Sequence, residues 1–232
     1  MDAQEILKKV SEKYANCRTY SDVGSVKSYF RDNIWHSSQF RTLFERQSRF
    51  RFEWQDVHLL LGSNGLFSIV WSNFNKTTLK QVPVNGDALV YEKFSVLQAV
   101  GFATGGSLGA ARMIPTIMLD EIRLIPRQNL LDFVSVVSLG QDYFGGITCC
   151  VIKGIVDYGA CFYLWVDEEH TIHRIVFHET PPTWAAHEVD AHFLSVQNFS
   201  DALSRNKDDD GARFAEYRYE QVSFDLLQSG NR

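Results

Sequence analysis

The sequence predicts an α+β fold: an antiparallel sheet of short, hairpin-linked strands, with one helix at the N-terminus and a helical pair in mid-chain. Three observations carry this. Residues 40–55, FRTLFERQSRFRFEWQ, alternate between apolar and polar with a period of two. Turn signals recur between short apolar runs, where a parallel fold would need long crossovers. Residues 2–16 carry the helical period instead.

The N-terminal helix is read from Ile6, Leu7, Val10 and Tyr14 on one face and Glu5, Lys8, Lys9 and Glu12 on the other, with Asp2 able to cap it. In the long β region that follows, Phe40, Thr42, Phe44, Phe50, Phe52 and Trp54 take the even positions. Arg46 falls on this apolar side. A buried guanidinium needs partners, so Arg46 is expected at a rim or bend, reaching carbonyls or a carboxylate. Ser63-Asn64-Gly65, Asn73 to Lys76 and Gly86-Asp87 read as turns, separating strands at 66–71, 77–82 and 88–91. Residues 94–119 change character and read as two short helices broken at Gly105-Gly106, with Ser107 capping the second and Pro115 ending or kinking it. Strands resume near 130: Leu131 to Leu139, ITCCVIKG, two more within residues 160–179, and a last one in FAEYRYEQVSF. The count is roughly nine to eleven strands.

At 232 residues the chain suits a single domain, 1–232, with a frayed tail from about 225. It contains 17 Phe, 9 Tyr and 5 Trp, a richness that favours sheet and suits an apolar cavity. Net charge is −5 and no Lys/Arg block stands out, so the electrostatic footprint of a nucleic-acid binder is missing. No apolar run approaches the length of a membrane span. The N-terminus shows no apolar core behind a basic start, so the chain is either cytosolic or begins after a removed signal. None of the four cysteines forms a C-x-x-C pair. Cys150 and Cys161 could face each other across a hairpin and form a disulfide, or be small buried apolar groups.

GGSLG, residues 105–109, matches G-x-S-x-G, which puts Ser107 at the nucleophile position of an α/β-hydrolase elbow. Asp167 and then His173, His178, His187 and His192 follow in triad order. An elbow, however, needs a buried strand before the serine and a long helix after it. LQAVGFATG is a poor strand, and Pro115 follows within about two turns. The competing reading is a glycine-rich break with Ser107 as a cap. HEVDAH, residues 187–192, has neither the strand nor the helix spacing that grips a metal. DDDG, residues 208–211, lacks the remaining ligands of a calcium loop. No catalytic residue, metal or cofactor is therefore expected.

The order of elements, with ERQSRFRFEW at 45–54, Asn64-Gly65-Leu66-Phe67, GGSLGAARMIPTIML at 105–119 and FYLWVDEEHTIHRIVF at 162–177, resembles the LolA-like superfamily of periplasmic lipoprotein carriers and its outer-membrane lipoprotein-sorting-like branch. The resemblance runs from about residue 4 to residue 224. It implies a strongly curved, incomplete β-barrel whose open side is covered by helices, with 94–119 as lid. It also implies an envelope location and non-enzymatic binding of an apolar or acylated ligand, a lipid or lipoprotein, by a monomer. Phe40, Phe44, Phe50, Phe52, Trp54, Phe67 and Trp71 would line the ligand. Arg46 matches the arginine that locks the lid in that family, although Gln47 stands where the family has proline. Gly105 and Gly106 would be the hinge. The rivals are a structural or partner-binding envelope protein with a filled cavity, and a serine hydrolase using Ser107.

Overall fold

The computed structural model describes residues 2–30, 33–46, 49–54, 57–61, 67–72, 79–80, 100–101, 103–104, 107–123, 129–157, 159–178 and 213–226. Helix α1, Ala3–Ala15, buries Ala3, Ile6, Leu7, Val10 and Tyr14. Its solvent side carries the i,i+4 pairs Lys9–Glu5 (3.2 Å) and Lys8–Glu12 (3.9 Å). Six strands follow: β1 Cys17–Phe30, β2 Asn33–Glu45, β3 Arg49–Trp54, β4 Val57–Leu61, β5 Phe67–Ser72 and β6 Leu79–Lys80. In mid-chain come a 3-10 turn at Ala110–Arg112 and the short helices α2, Ile114–Met118, and α3, Asp120–Arg123. Five more strands complete the chain: β7 Ser135–Phe144, β8 Ile147–Ile155, β9 Cys161–Val166, β10 Ile172–His178 and β11 Arg213–Leu226.

These form one open antiparallel sheet of eleven strands in the order β6-β5-β4-β3-β2-β1-β11-β10-β9-β8-β7. Two meanders, β1 to β6 and β7 to β11, meet where β1 lies beside β11, and β6 and β7 are the ends. The chain divides into two compact units. The first comprises Met1–Glu12, Val26–Ser37 and Leu131–Tyr219, and the second Lys13–Ser25, Ser38–Leu130 and Glu220–Arg232.

In the second unit, the alternation across 40–55 belongs to a hairpin and not to one strand. Glu45 stands opposite Arg49, Phe44 opposite Phe50, Thr42 opposite Phe52 and Phe40 opposite Trp54. Directly opposed residues share a face, so the apolar period passes through the turn in phase. Pro115 does not end a helix. It lies in the first turn of α2, where its missing N–H costs nothing, and the break precedes it at Met113 (φ −85°, ψ −108°). The segment expected as one helix is thus a 3-10 turn followed by α2. Thr116 Oγ donates to the Met113 carbonyl (2.8 Å) and accepts from the Leu130 N–H (3.0 Å), fastening α2 to the loop ahead of β7.

In the first unit, all six residues of β9 are buried. On one face, Tyr163 and Trp165 pack with Cys149, Val151, Cys161 and Val176. On the other, Phe162 sits between Phe133 (5.8 Å) and Phe177 (4.8 Å). Opposite Phe162 is Gly154, where a Cβ would come within 2.5 Å of the Phe133 ring, so only glycine lets that ring lie flat on the strand. The β7–β8 hairpin turns on Gly145-Gly146 (φ 59° and 90°), a pair of left-handed residues that matches the strand twist.

Two further expectations are corrected. Cys150 pairs with Val166 and Cys161 with Ile155, so the two cysteines lie five residues apart along the β8–β9 ladder, about 17 Å, too far to bridge. All four cysteines are free thiols. Strand β11 runs to Leu226, into the stretch expected to fray. The expected strand at 88–91 and the break at Gly105-Gly106 lie outside the described residues.

Candidate functional site

The aromatic residues read from the alternation do come together in the second unit. Phe40, Phe44, Phe50, Phe52 and Trp54 share one face of the β2–β3 hairpin. Phe52 is 6.0 Å from Phe40 and 5.6 Å from Trp54, ring centre to ring centre. The five side chains are between 0 and 7% exposed, so this face is covered in the described state. Strand β5 carries Phe67 and Trp71, but their side chains lie outside the described residues, as do Gly105 and Gly106.

Arg46 follows β2 directly and sits at the bend, as its break in the pattern predicts. Its N–H bonds the Arg18 carbonyl (2.9 Å). Its guanidinium donates to the carbonyls of Cys17 (3.0 Å) and Tyr14 (3.3 Å), and lies 5.2 Å from the Phe44 ring centre. Tyr14 is in the last turn of α1, whose carbonyls have no partner within the helix and form the negative end of its dipole. The described contacts of Arg46 therefore tie the α1–β1 junction to one end of the aromatic hairpin.

Sequence reasoning missed Asp22. It lies on β1 and is 1% exposed. Its carboxylate accepts from the Tyr20 hydroxyl (2.7 Å) and from the Thr42 N–H (3.0 Å). Thr42 stands between Phe40 and Phe44 on the buried side of β2. Tyr20 joins Tyr14 (5.6 Å) and Phe224 (5.0 Å) in a three-ring cluster. Burial pushes the Asp22 carboxyl up to about 7, against the opposing effect of its hydrogen bonds. The alternation of Tyr20, Asp22, Gly24 and Val26 was the available signal, since it puts an acid on an apolar face.

The first unit holds a charged cluster that was also missed. Glu216 on β11 accepts from Arg174 Nε (2.7 Å), Arg218 Nε (3.1 Å), Arg218 Nη2 (3.2 Å) and the Tyr29 hydroxyl (3.3 Å). The Arg174 guanidinium lies 4.2 Å over the Trp165 ring, and Trp165 Nε1 donates to Asp142 (2.7 Å). Burial lowers the pKa of Arg174 and the Glu216 charge opposes this, while burial, helped by Glu216, raises that of Tyr29 to about 12. The register sets Arg174 opposite both Trp165 and Arg218, so one row across β9, β10 and β11 carries three members of the cluster, and Glu216 reaches it from two residues along β11. Its charges are matched internally, which makes it a pin between strands.

Ser107 is fully buried, and its Oγ accepts the Ala111 N–H (3.1 Å) at the 3-10 turn. Its own N–H bonds the Ala103 carbonyl (2.9 Å), and the residues described before it are helical. A nucleophile elbow needs an exposed Oγ on a strand-to-helix turn, which this buried hydroxyl does not offer; nor is Ser107 the expected N-cap, since Gly109 holds that position and the Ser107 Oγ braces the turn from two residues before it. His173 is held by Asp167 (2.8 Å), whose other oxygen accepts the Thr171 N–H (2.7 Å), closing the β9–β10 turn. Burial lowers His178 to about 4, and burial with nearby carboxylates raises the Cys149 thiol to about 12. Neither is charged at neutral pH. Among the described residues no group of three His, Cys, Asp or Glu could hold a metal ion. His187 and His192 lie outside them. No helix of the described residues is long and apolar enough to cross a membrane.

No family model matches the sequence, and no curated protein does. Among solved structures, the chain is similar to LprF from Mycobacterium bovis at 10% identity, over 97% of this chain and 94% of that one, with a TM-score of 0.46. The lipoprotein LppX from Mycobacterium tuberculosis gives 7% identity, 97% of both chains and 0.44. A LolA superfamily protein from Nitrosomonas europaea gives 10% identity, 98% and 95% coverage, and 0.30. Likenesses at these scores carry no argument about activity, and the open antiparallel sheet stands on its own strand order.

Proposed function

We propose that the protein is a non-enzymatic binder of an apolar or acylated ligand, a lipid or lipoprotein, acting in the cell envelope, with the aromatic face of the β2–β3 hairpin as its binding surface. The observation that carries this is the row of Phe40, Phe44, Phe50, Phe52 and Trp54 on one face. Hydrocarbon packed there is favoured by about 0.8 kcal/mol per CH₂ and needs no catalytic group. Phe67 and Trp71 on β5 would extend the surface, residues 94–119 would be the lid with Gly105 and Gly106 as its hinge, and Arg46 would couple their movement to α1. The chain would act as a monomer of one domain, without a cofactor.

A second reading has a specific observation behind it. The five aromatics are almost fully covered, which suits a sheet filled by its own side chains whose partner is another envelope protein. Titrating the delipidated protein with an environment-sensitive naphthylamine dye, then displacing the dye with acylated peptides and fatty acids, separates the two. Saturable binding at about one ligand per protein, weakened by Phe52→Ser, is the expected result. Absence of dye binding at every pH tested would overturn the ligand reading in favour of the filled sheet.

A further inference from the structure

We infer that Asp22 is a proton-gated element of the aromatic face: as a neutral acid it keeps strands β1 and β2 closed and competent for an apolar ligand, and as a carboxylate it draws in water and weakens binding. The inference rests on the ligand reading above and names the regulation of that same surface. Its geometry is that of a charge-capable group set among neutral partners. The carboxyl is 1% exposed and, among the described residues, meets the neutral groups Tyr20, through its hydroxyl, on its own strand and Thr42, through its amide and its side chain, on β2. The Tyr20 ring is in turn packed by Tyr14 of α1 and Phe224 of β11.

The charged groups described on the surrounding elements are engaged elsewhere. Lys13 of α1 lies over the Phe224 ring at 4.4 Å, and Arg46 beyond β2 bonds the Tyr14 and Cys17 carbonyls. Among the described residues an ionised Asp22 thus has hydrogen bonds from Tyr20 and Thr42 and no counter-charge, a costly state in an aromatic surround. A protonated Asp22 loses little. One oxygen still accepts the Thr42 N–H, while the acid hydroxyl can donate to Tyr20, reversing that bond.

The direction of the effect follows. Burial raises this carboxyl from 3.8 to about 7, so the folded state prefers the neutral acid. The stability this contributes is fully present below about pH 4 and is lost as the pH rises through about 7. A ligand that needs the neutral form sees a competent fraction of about 0.9 at pH 6 and about 0.1 at pH 8, which weakens its apparent affinity about tenfold.

Three measurements test this. Carbon-13 NMR of the Asp22 carboxyl is expected to give a titration midpoint near 7, moved higher in Tyr20→Phe, which removes a bond that favours the charge. A midpoint near 4 overturns the inference. Dye titrations are expected to give a dissociation constant about tenfold larger at pH 8 than at pH 6 for the wild type, and within about twofold for Asp22→Asn. Equal pH dependence in the two proteins overturns it. Should neither protein bind dye at any pH, the ligand reading has failed, and the gate is judged on urea midpoints alone. A midpoint that falls from pH 5 to pH 8 in the wild type and stays level in Asp22→Asn supports the gate; parallel curves refute it.

Discussion

Removing Glu216 tests whether the charged cluster of β10 and β11 holds the first unit together. Arg174 and Glu216 are each 2% exposed at the side chain and meet at 2.7 Å. In Glu216→Leu the guanidinium of Arg174 stays buried over Trp165 with its carboxylate gone, Arg218 loses two hydrogen bonds and the Tyr29 hydroxyl loses one. Breaking a buried pair from one side costs about 3–5 kcal/mol, because the remaining charge is uncompensated. Arg174→Met should cost less, about 2–3 kcal/mol, since Arg218 and Tyr29 still serve Glu216. The double variant, Arg174→Met with Glu216→Leu, replaces both charges by apolar groups and should lie within about 2 kcal/mol of the wild type. The assay is urea unfolding followed by circular dichroism at pH 7, read as a double-mutant cycle. A coupling of about 2 kcal/mol or more is expected; single-variant costs that add to within about 0.5 kcal/mol would show that the two residues do not act as a pair.

Two other outcomes follow from local geometry. Gly154→Ala forces a methyl group into the Phe133 ring and should cost about 1–3 kcal/mol in urea midpoint, with Phe133→Leu relieving part of the loss in the double variant. Arg46→Leu removes the bonds to the Tyr14 and Cys17 carbonyls and should cost about 2 kcal/mol, seen as a melting temperature roughly 4–8 °C lower. In the dye assay the same variant should change the off-rate more than the on-rate, and an unchanged off-rate counts against coupling through α1.

Much of the fold was legible because period and turn chemistry act locally. Helix α1 appeared within a residue of its ends. Arg46 was readable as a bend residue because a guanidinium on an apolar face must find acceptors. The hairpin inside 40–55 was not, because antiparallel pairing kept Phe44 and Phe50 in phase across the turn. Strand β4, VHLLL, is too short and too uniformly apolar to show a period. Pro115 was misplaced because proline is as suited to a first helical turn as it is unsuited to a later one. The Glu216 cluster was invisible for a different reason. Tyr29, Arg174 and Glu216 are brought together by β1, β11 and β10 lying side by side, a long-range fact that no window of sequence contains. Asp22 could be seen as an acid on an apolar face, but its partner Thr42, twenty residues on, could not.

Strand β9 has a consequence for how this sequence can drift. Each of its six side chains is buried, on both faces of the sheet. A strand with one solvated side accepts polar exchange at every second position, and its history reads as alternation. Cys161–Val166 has no such free positions. Substitution there is confined to apolar residues of near-equal volume, while β7, at the sheet end two strands away and largely exposed, can change freely. Distant descendants of this chain should therefore keep CFYLWV as a recognisable apolar block after the edge strand β7 has lost all similarity.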